Sequence, residues 1–230
     1  MMGRSSLAGA LALALVGAGA LSLAGGPGVA QEVGKSSYMT TEEAVDQQTL
    51  TKAEAAGYDQ YRRGFYEEAM ATWKEAVEKD GDVGSAYRLG REYMDAKVVE
   101  RDMSKSVDYL TIASDGGDPR AQFDLGTLYD NGWGVEKDPA KAASLYEGAA
   151  EAGLPDAQYN VGVMYQEGVG VEKDPVKAYK YYLLAVQNGF PRYASTAMDT
   201  LSQTMEPAQI KQATELARDF KPRPVPGEAS

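Results

Sequence analysis

Residues 157–182 read AQYNVGVMYQEGVGVEKDPVKAYKYY, and 36 positions earlier residues 121–146 read AQFDLGTLYDNGWGVEKDPAKAASLY. Carried to full length, Ala121–Asp156 laid over Ala157–Arg192 gives 17 identities in 36 positions, so the chain repeats with a period of 36 residues. The shared frame is Ala121, Gln122, Gly126, Tyr129, Gly132, Gly134 through Pro139, Lys141, Ala142, Tyr146, Ala149, Gly153 and Pro155. An earlier copy starts at Ser85 and keeps Leu89, Gly90, Tyr93, Asp102, Lys105, Ala113, Gly117 and Pro119. It carries Ala96-Lys97-Val98 where the later copies have Gly-x-Gly.

Each part of the frame has a physical role, and together they predict two antiparallel helices per repeat. Pro139 and Pro175 suit the first position of a helix, where a missing N–H costs nothing, and Asp138 and Asp174 precede them as side-chain caps. Gly132, Gly168, Gly153 and Gly189 fall where the preceding helices should end, in the left-handed conformation that helix C-termini favour. Ala121, Leu125 and Tyr129 mark one apolar face, and Ala142, Tyr146 and Ala149 mark another. One helix pair cannot bury such faces alone, whereas stacked pairs can. The expected fold is therefore an all-α, right-handed superhelical solenoid of antiparallel helix pairs.

Working outward from the frame, the stretch at 61–69, followed by Trp73 and Ala76, reads as a further hairpin with a shorter loop, because Ala69, Trp73 and Ala76 repeat the spacing of Ala142, Tyr146 and Ala149. Tyr193–Gln203 and Pro207–Phe220 are expected to form a last, off-consensus pair that closes the open end. The expected organisation is a repeat domain over 51–220, with units at 51–84, 85–120, 121–156 and 157–192 and a cap at 193–220. Residues 221–230, with three prolines, are expected to be disordered.

The N-terminal region reads differently. Arg4 gives a positive start, residues 7–24 are apolar apart from Ser22 and three glycines, and Gly28-Val29-Ala30 offers a small-residue cleavage site. Residues 1–30 are therefore expected to be a cleaved export signal rather than a membrane anchor, since Gly25-Gly26-Pro27 and the glycines disfavour a spanning helix. Residues 31–50 read as a linker, in which Thr40 and Glu43 have capping-box spacing. The expected location is the periplasm, with no stable membrane insertion after cleavage.

Composition closes several chemistries. The 230 residues include no Cys and no His, which removes disulfides, thiolate zinc sites, cysteine nucleophiles and imidazole-based catalysis. The net charge of −11 lacks the basic stripe that nucleic acid requires and suits a basic partner surface. No acidic stretch has calcium-loop spacing, and no carboxylate pair stands out for glycosidase chemistry, so no metal, cofactor or catalytic residue is assigned.

The stretch at 157–182 closely resembles the Sel-one-like repeat family, a branch of the tetratricopeptide class; the resemblance is strong over 121–192, weaker over 85–120 and tetratricopeptide-like over 53–84. It implies a superhelical, non-catalytic scaffold for protein complexes, and in exported relatives an adaptor or regulator of a membrane sensor kinase or an envelope-assembly complex. The alternatives are an envelope hydrolase of β-lactam or glycan, and a cell-wall glycan binder. The cysteine cross-links of one exported subgroup are absent here. By the same resemblance the first helix of each pair lines a concave groove. The residues so placed are Tyr87, Arg91, Met94 and Asp95, then Phe123, Thr127, Asp130 and Asn131, then Tyr159, Val163, Gln166 and Glu167. The rings Tyr87, Phe123 and Tyr159 recur at 36-residue intervals and read either as a ladder gripping a peptide or as packing between repeats. Trp133, in a loop where neighbouring repeats have Lys97 and Val169, reads as an interface anchor or as cover for the adjacent repeat.

Overall fold

The computed structural model describes residues 50–225. The expected signal at 1–30, the expected linker up to residue 49 with the capping-box spacing at Thr40, and the last five residues lie outside the described residues. The described chain forms ten helices and no strand: α1 (Lys52–Arg62), α2 (Tyr66–Asp80), α3 (Val83–Asp95), α4 (Met103–Asp115), α5 (Pro119–Asn131), α6 (Pro139–Glu151), α7 (Pro155–Glu167), α8 (Pro175–Gln187), α9 (Pro191–Ser202) and α10 (Pro207–Arg218). The odd-numbered helices α1 to α7 are the first helices of four successive pairs, and each pair stacks on the next to give an all-α repeat solenoid.

The caps follow the frame. Asp138 accepts from the amides of Ala140 and Lys141, and Asp174 from those of Val176 and Lys177, each ahead of a proline in the first turn. Gly132 and Gly168 end α5 and α7 in the left-handed conformation, at φ of 71° and 73°. Ala96 ends α3 at φ 57°, the one positive-φ residue other than glycine among the described residues.

Within each pair one large side chain of the second helix sits against a glycine of the first. Trp73 faces Gly57, Leu110 faces Gly90, Tyr146 faces Gly126 and Tyr182 faces Gly162; a Cβ on any of these glycines would come within 3.0 Å of its partner. These four large side chains are buried, and removing one would cost about 3–5 kcal/mol. The hydroxyls of the two tyrosines reach back to the first helix, Tyr146 to Thr127 at 3.1 Å and Tyr182 to Gln166 at 2.8 Å.

Other frame residues tie the stack together. The Gln122 and Gln158 amides donate to the carbonyls of Ser114 and Ala150, at the end of the preceding second helix. Lys105, Lys141 and Lys177 lie over the rings of Tyr93, Tyr129 and Tyr165 at 5.1, 4.1 and 4.6 Å. The glycines Gly134 and Gly170 let each inter-helix loop press onto the start of the previous second helix: a Cβ on Gly134 would sit 2.7 Å from the Met103 carbonyl oxygen, and one on Gly170 would overlap that of Pro139.

The C-terminal end departs from the expected hairpin. α9 and α10 both pack on α8 rather than on each other. The departure coincides with a change of register, because Ala194, Met198 and Leu201 repeat the spacing of Ala157, Val161 and Met164 at an interval of 37 rather than 36. Lys221–Val225, read from sequence as disordered, runs back over α6: the Arg223 amide donates to the Glu151 carbonyl at 2.7 Å, and its guanidinium to Gly148 O and Gln122 Oε1.

Candidate functional site

The first helices α3, α5 and α7 are buried almost all round, whereas α1 at the open end and the second helices keep an exposed face. That asymmetry belongs to an arc in which α1, α3, α5 and α7 are the inner, more closely spaced members. Their shared face carries polar side chains at one repeat position, Arg88, Asp124 and Asn160, each two residues before the glycine that receives the second helix, and Glu54, three residues before Gly57, joins them through Arg88. All four are less than 9% exposed, and their signs run negative, positive, negative, neutral.

Pairing across repeats engages the charged members of the column, while Arg88 Nη2 and Asn160 Oδ1 make no hydrogen bond. Arg88 Nε donates to Glu54 Oε1 at 3.0 Å while its guanidinium lies 4.8 Å from the Tyr58 ring centroid. Arg91 bridges Asp124 at 3.3 Å and Asp95 at 2.8 Å, and Arg120 pairs with Asp118 and stacks over Tyr87 at 4.3 Å. Burial pushes the Glu54 carboxyl above its usual range, against the opposing pull of Arg88 and Arg120. Burial also works against the Arg91 charge, but Asp124, followed by Tyr87 and Asp95, outweighs it and holds the guanidinium more firmly protonated than usual. These buried pairs fix the order of the stack, since removing one partner leaves an uncompensated charge inside.

Of the two readings of the ring ladder, burial favours packing between repeats. Tyr87, Phe123 and Tyr159 are 7%, 1% and 6% exposed, and they pack within and between repeats, Phe123 on Tyr146 and Tyr159 on Tyr182, Phe190 and Tyr193. They are core, not a gripping surface, because the neighbouring second helix covers the face a peptide would need. Asp130 is also buried, which raises its carboxyl above the usual range despite Lys137. Arg91 is consumed by its ion pairs, and Gln166 is half-buried beneath Tyr182. Met94 is half-buried against the cluster around Tyr87, while Trp133 is 37% exposed in its loop. What this face leaves open to a ligand is a rim of Asp95, Arg120, Asn131 and Glu167.

Sequence comparison missed Glu54, Arg88, Asp124 and Asn160. Arg88, Asp124 and Asn160 stand at strict 36-residue intervals, but an alignment that rewards identity discards a position whose charge alternates. Among the described residues no cluster of carboxylates has the arrangement of a metal site, and no helix is long and apolar enough to cross a membrane.

The Sel1 repeat pattern matches residues 83–118, 119–154 and 155–190, the spans of the pairs α3–α4, α5–α6 and α7–α8. A solved Sel1 repeat protein from Oxalobacter formigenes is 37% identical over 57% of this chain and 97% of that one, with a TM-score of 0.52. The chain belongs to the Sel1 repeat family. Its Sel1 repeats also share their fold with a protective antigen of uropathogenic Escherichia coli strains, at 23% identity over 73% of this chain and 44% of that one, with a TM-score of 0.51. No curated protein matches the chain. Sel1 repeats generally serve as non-catalytic scaffolds for protein–protein interaction.

Proposed function

We propose that this Sel1 repeat chain is an exported, periplasmic adaptor or regulator that holds a membrane sensor or an envelope-assembly protein against the face of its first helices. The observation that carries the reading is the pairing of Glu54 with Arg88 and of Arg91 with Asp124 beneath that face. Buried ion pairs hold the helices in one arrangement before a partner arrives, and a surface that is already ordered loses little entropy on binding. Export is supported by the apolar run and small-residue site within residues 1–30. The contact falls on the exposed rim rather than on the buried rings, so the informative substitutions are Asn131→Lys with Glu167→Lys. Cross-linking in intact cells followed by mass spectrometry should lose the main partner in this double variant. Undiminished capture by a folded double variant would overturn the face assignment, and a mature N-terminus that still carries residues 1–30 would overturn the export reading.

A further inference from the structure

Residues 221–225 are held against the end of α6 through one arginine. The Arg223 amide donates to the Glu151 carbonyl at 2.7 Å, and its Nη2 donates to Gly148 O at 3.1 Å and to Gln122 Oε1 at 3.3 Å. Pro222 covers Gly153, where a Cβ would lie 3.6 Å from the proline ring. Phe220 and Val225 are half-buried and the four residues between them are exposed, so the segment is a strap pinned at its two ends. The seat under Arg223 is peculiar to this repeat. Residue 148 is glycine where the neighbouring repeats have Ile112 and Leu184, and a Cβ on Gly148 would stand 2.8 Å from Gln122 Oε1. Glycine weakens a helix interior, but here it leaves the space that the Gln122 amide and the guanidinium share. In the next repeat the matching acceptor, Gln158 Oε1, receives the Asn188 amide at 2.9 Å. The residue 36 positions before Asn188 is Ala152, whose side chain has no donor, and Arg223 supplies that donor from the tail. The earlier repeat has Ala86 in place of Gln122 and so lacks the acceptor.

We propose that this seat recognises an extended partner segment carrying an arginine beside proline, and that the chain's own tail occupies it as an intramolecular competitor. The bound tail shows what the seat accepts. Two of its acceptors are carbonyls in the last turn of α6, where the helix dipole favours a cation, and the third is a side-chain amide oxygen. A guanidinium carries several donors in a fixed plane and reaches two of these acceptors at once, which a lysine ammonium matches less well. Pro224 keeps Arg223 extended, and Pro222 packs where Gly153 offers no side chain. The surrounding charges do not choose the ligand, since Glu147 and Glu151 lie in the field of Lys180 and Asp118 pairs with Arg120. Because the tail's bonds are exposed, a partner can displace it without opening a helix. Gln122 stands in the first turn of α5 and Asn131 at its other end, so the seat is separate from the first-helix rim and does not depend on it.

The test titrates a capped fluorescent peptide, Phe-Lys-Pro-Arg-Pro-Val, against the full chain and against its Arg223→Ala variant, read by anisotropy and by amide NMR shifts. The variant should bind with a dissociation constant below about 1 mM, with shifts at residues 148–153. The unaltered chain should bind about tenfold more weakly, because a seat open about one-tenth of the time lowers apparent affinity by that factor. Lysine in place of the peptide's arginine should weaken binding at least about fivefold, and alanine should abolish it. Gly148→Leu added to Arg223→Ala, which brings the residue of the next repeat, should abolish binding by filling the seat. Gln122→Ala in the same background, the residue of the earlier repeat, should weaken it about fivefold without touching α6. No binding by Arg223→Ala, equal affinity for both chains, undiminished binding of the alanine peptide, full binding by either folded double variant, or shifts on the Asn131 and Glu167 rim would each overturn the proposal. So would a chain that is dimeric by light scattering and monomeric as Arg223→Ala, since the seat would then hold the tail of a second copy.

Discussion

Ala96 holds a backbone conformation that the next two repeats assign to Gly132 and Gly168. An L side chain pays about 1–2 kcal/mol there, so Ala96→Gly should stabilise the protein by about 1 kcal/mol after allowing for the greater freedom of glycine when unfolded. Urea unfolding with an unchanged slope is the measurement, and an unchanged midpoint would contradict it. Glu54 makes a prediction in pH. Its carboxyl binds a proton more tightly in the folded protein than in the unfolded chain, so unfolding releases a proton in the window above 4.5 and stability falls as pH rises through it. Glu54→Gln should flatten that fall when melting temperature is followed from pH 5 to pH 7; an unaltered slope would place the titration elsewhere. The glycines and capping aspartates were legible in the sequence because backbone geometry within a few residues dictates them. The Glu54–Arg88 pair was not, because its members lie 34 residues apart and differ in sign.

At the scale of elements, α8 serves as the seat for both α9 and α10, and the change of plan goes with a one-residue offset in the apolar face of α9. Periodicity found both helices but not their partner, since α9 starts in register at Pro191 yet buries positions one residue later than α7 does, and one residue along a helix turns the apolar face by about a quarter turn. The segment after α10 then lies against α6, with Pro222 near Gly153 and Arg223 bonded to Glu151, Gly148 and Gln122. Because these bonds are exposed, ending the chain after Phe220 should cost only about 1 kcal/mol. The loss should appear as faster amide exchange at the end of α6, with α3 and α4 unaffected; a loss of the whole fold would assign the strand a larger role. The ring ladder illustrates the opposite difficulty. Its 36-residue interval was plain in the sequence, but periodicity alone does not distinguish a ring turned inward from one turned outward, and the neighbouring second helix settles the matter.

For the whole molecule, apolar side chains form three clusters of unequal extent. The largest runs from α5 to α10 and is rich in tyrosine, while the one around Trp73 at the N-terminal end is small and leans on charged pairs. A stack in which each pair touches only its neighbours opens from its weaker end. Native-state hydrogen exchange should therefore show α1 and α2 opening at lower free energy than α6 to α8, and uniform protection would contradict it. The family was readable from the repeat itself, whereas a partner is chosen by side chains that differ from repeat to repeat. The alternating column of Glu54, Arg88, Asp124 and Asn160 also bears on how such a gene can grow. Copying the 36-residue unit that carries Asp124 would set a second aspartate beside it in a place without water, whereas copying the unit that carries Asn160 would set two neutral side chains together. Simple duplication is thus open to the last full repeat and closed to the one before it.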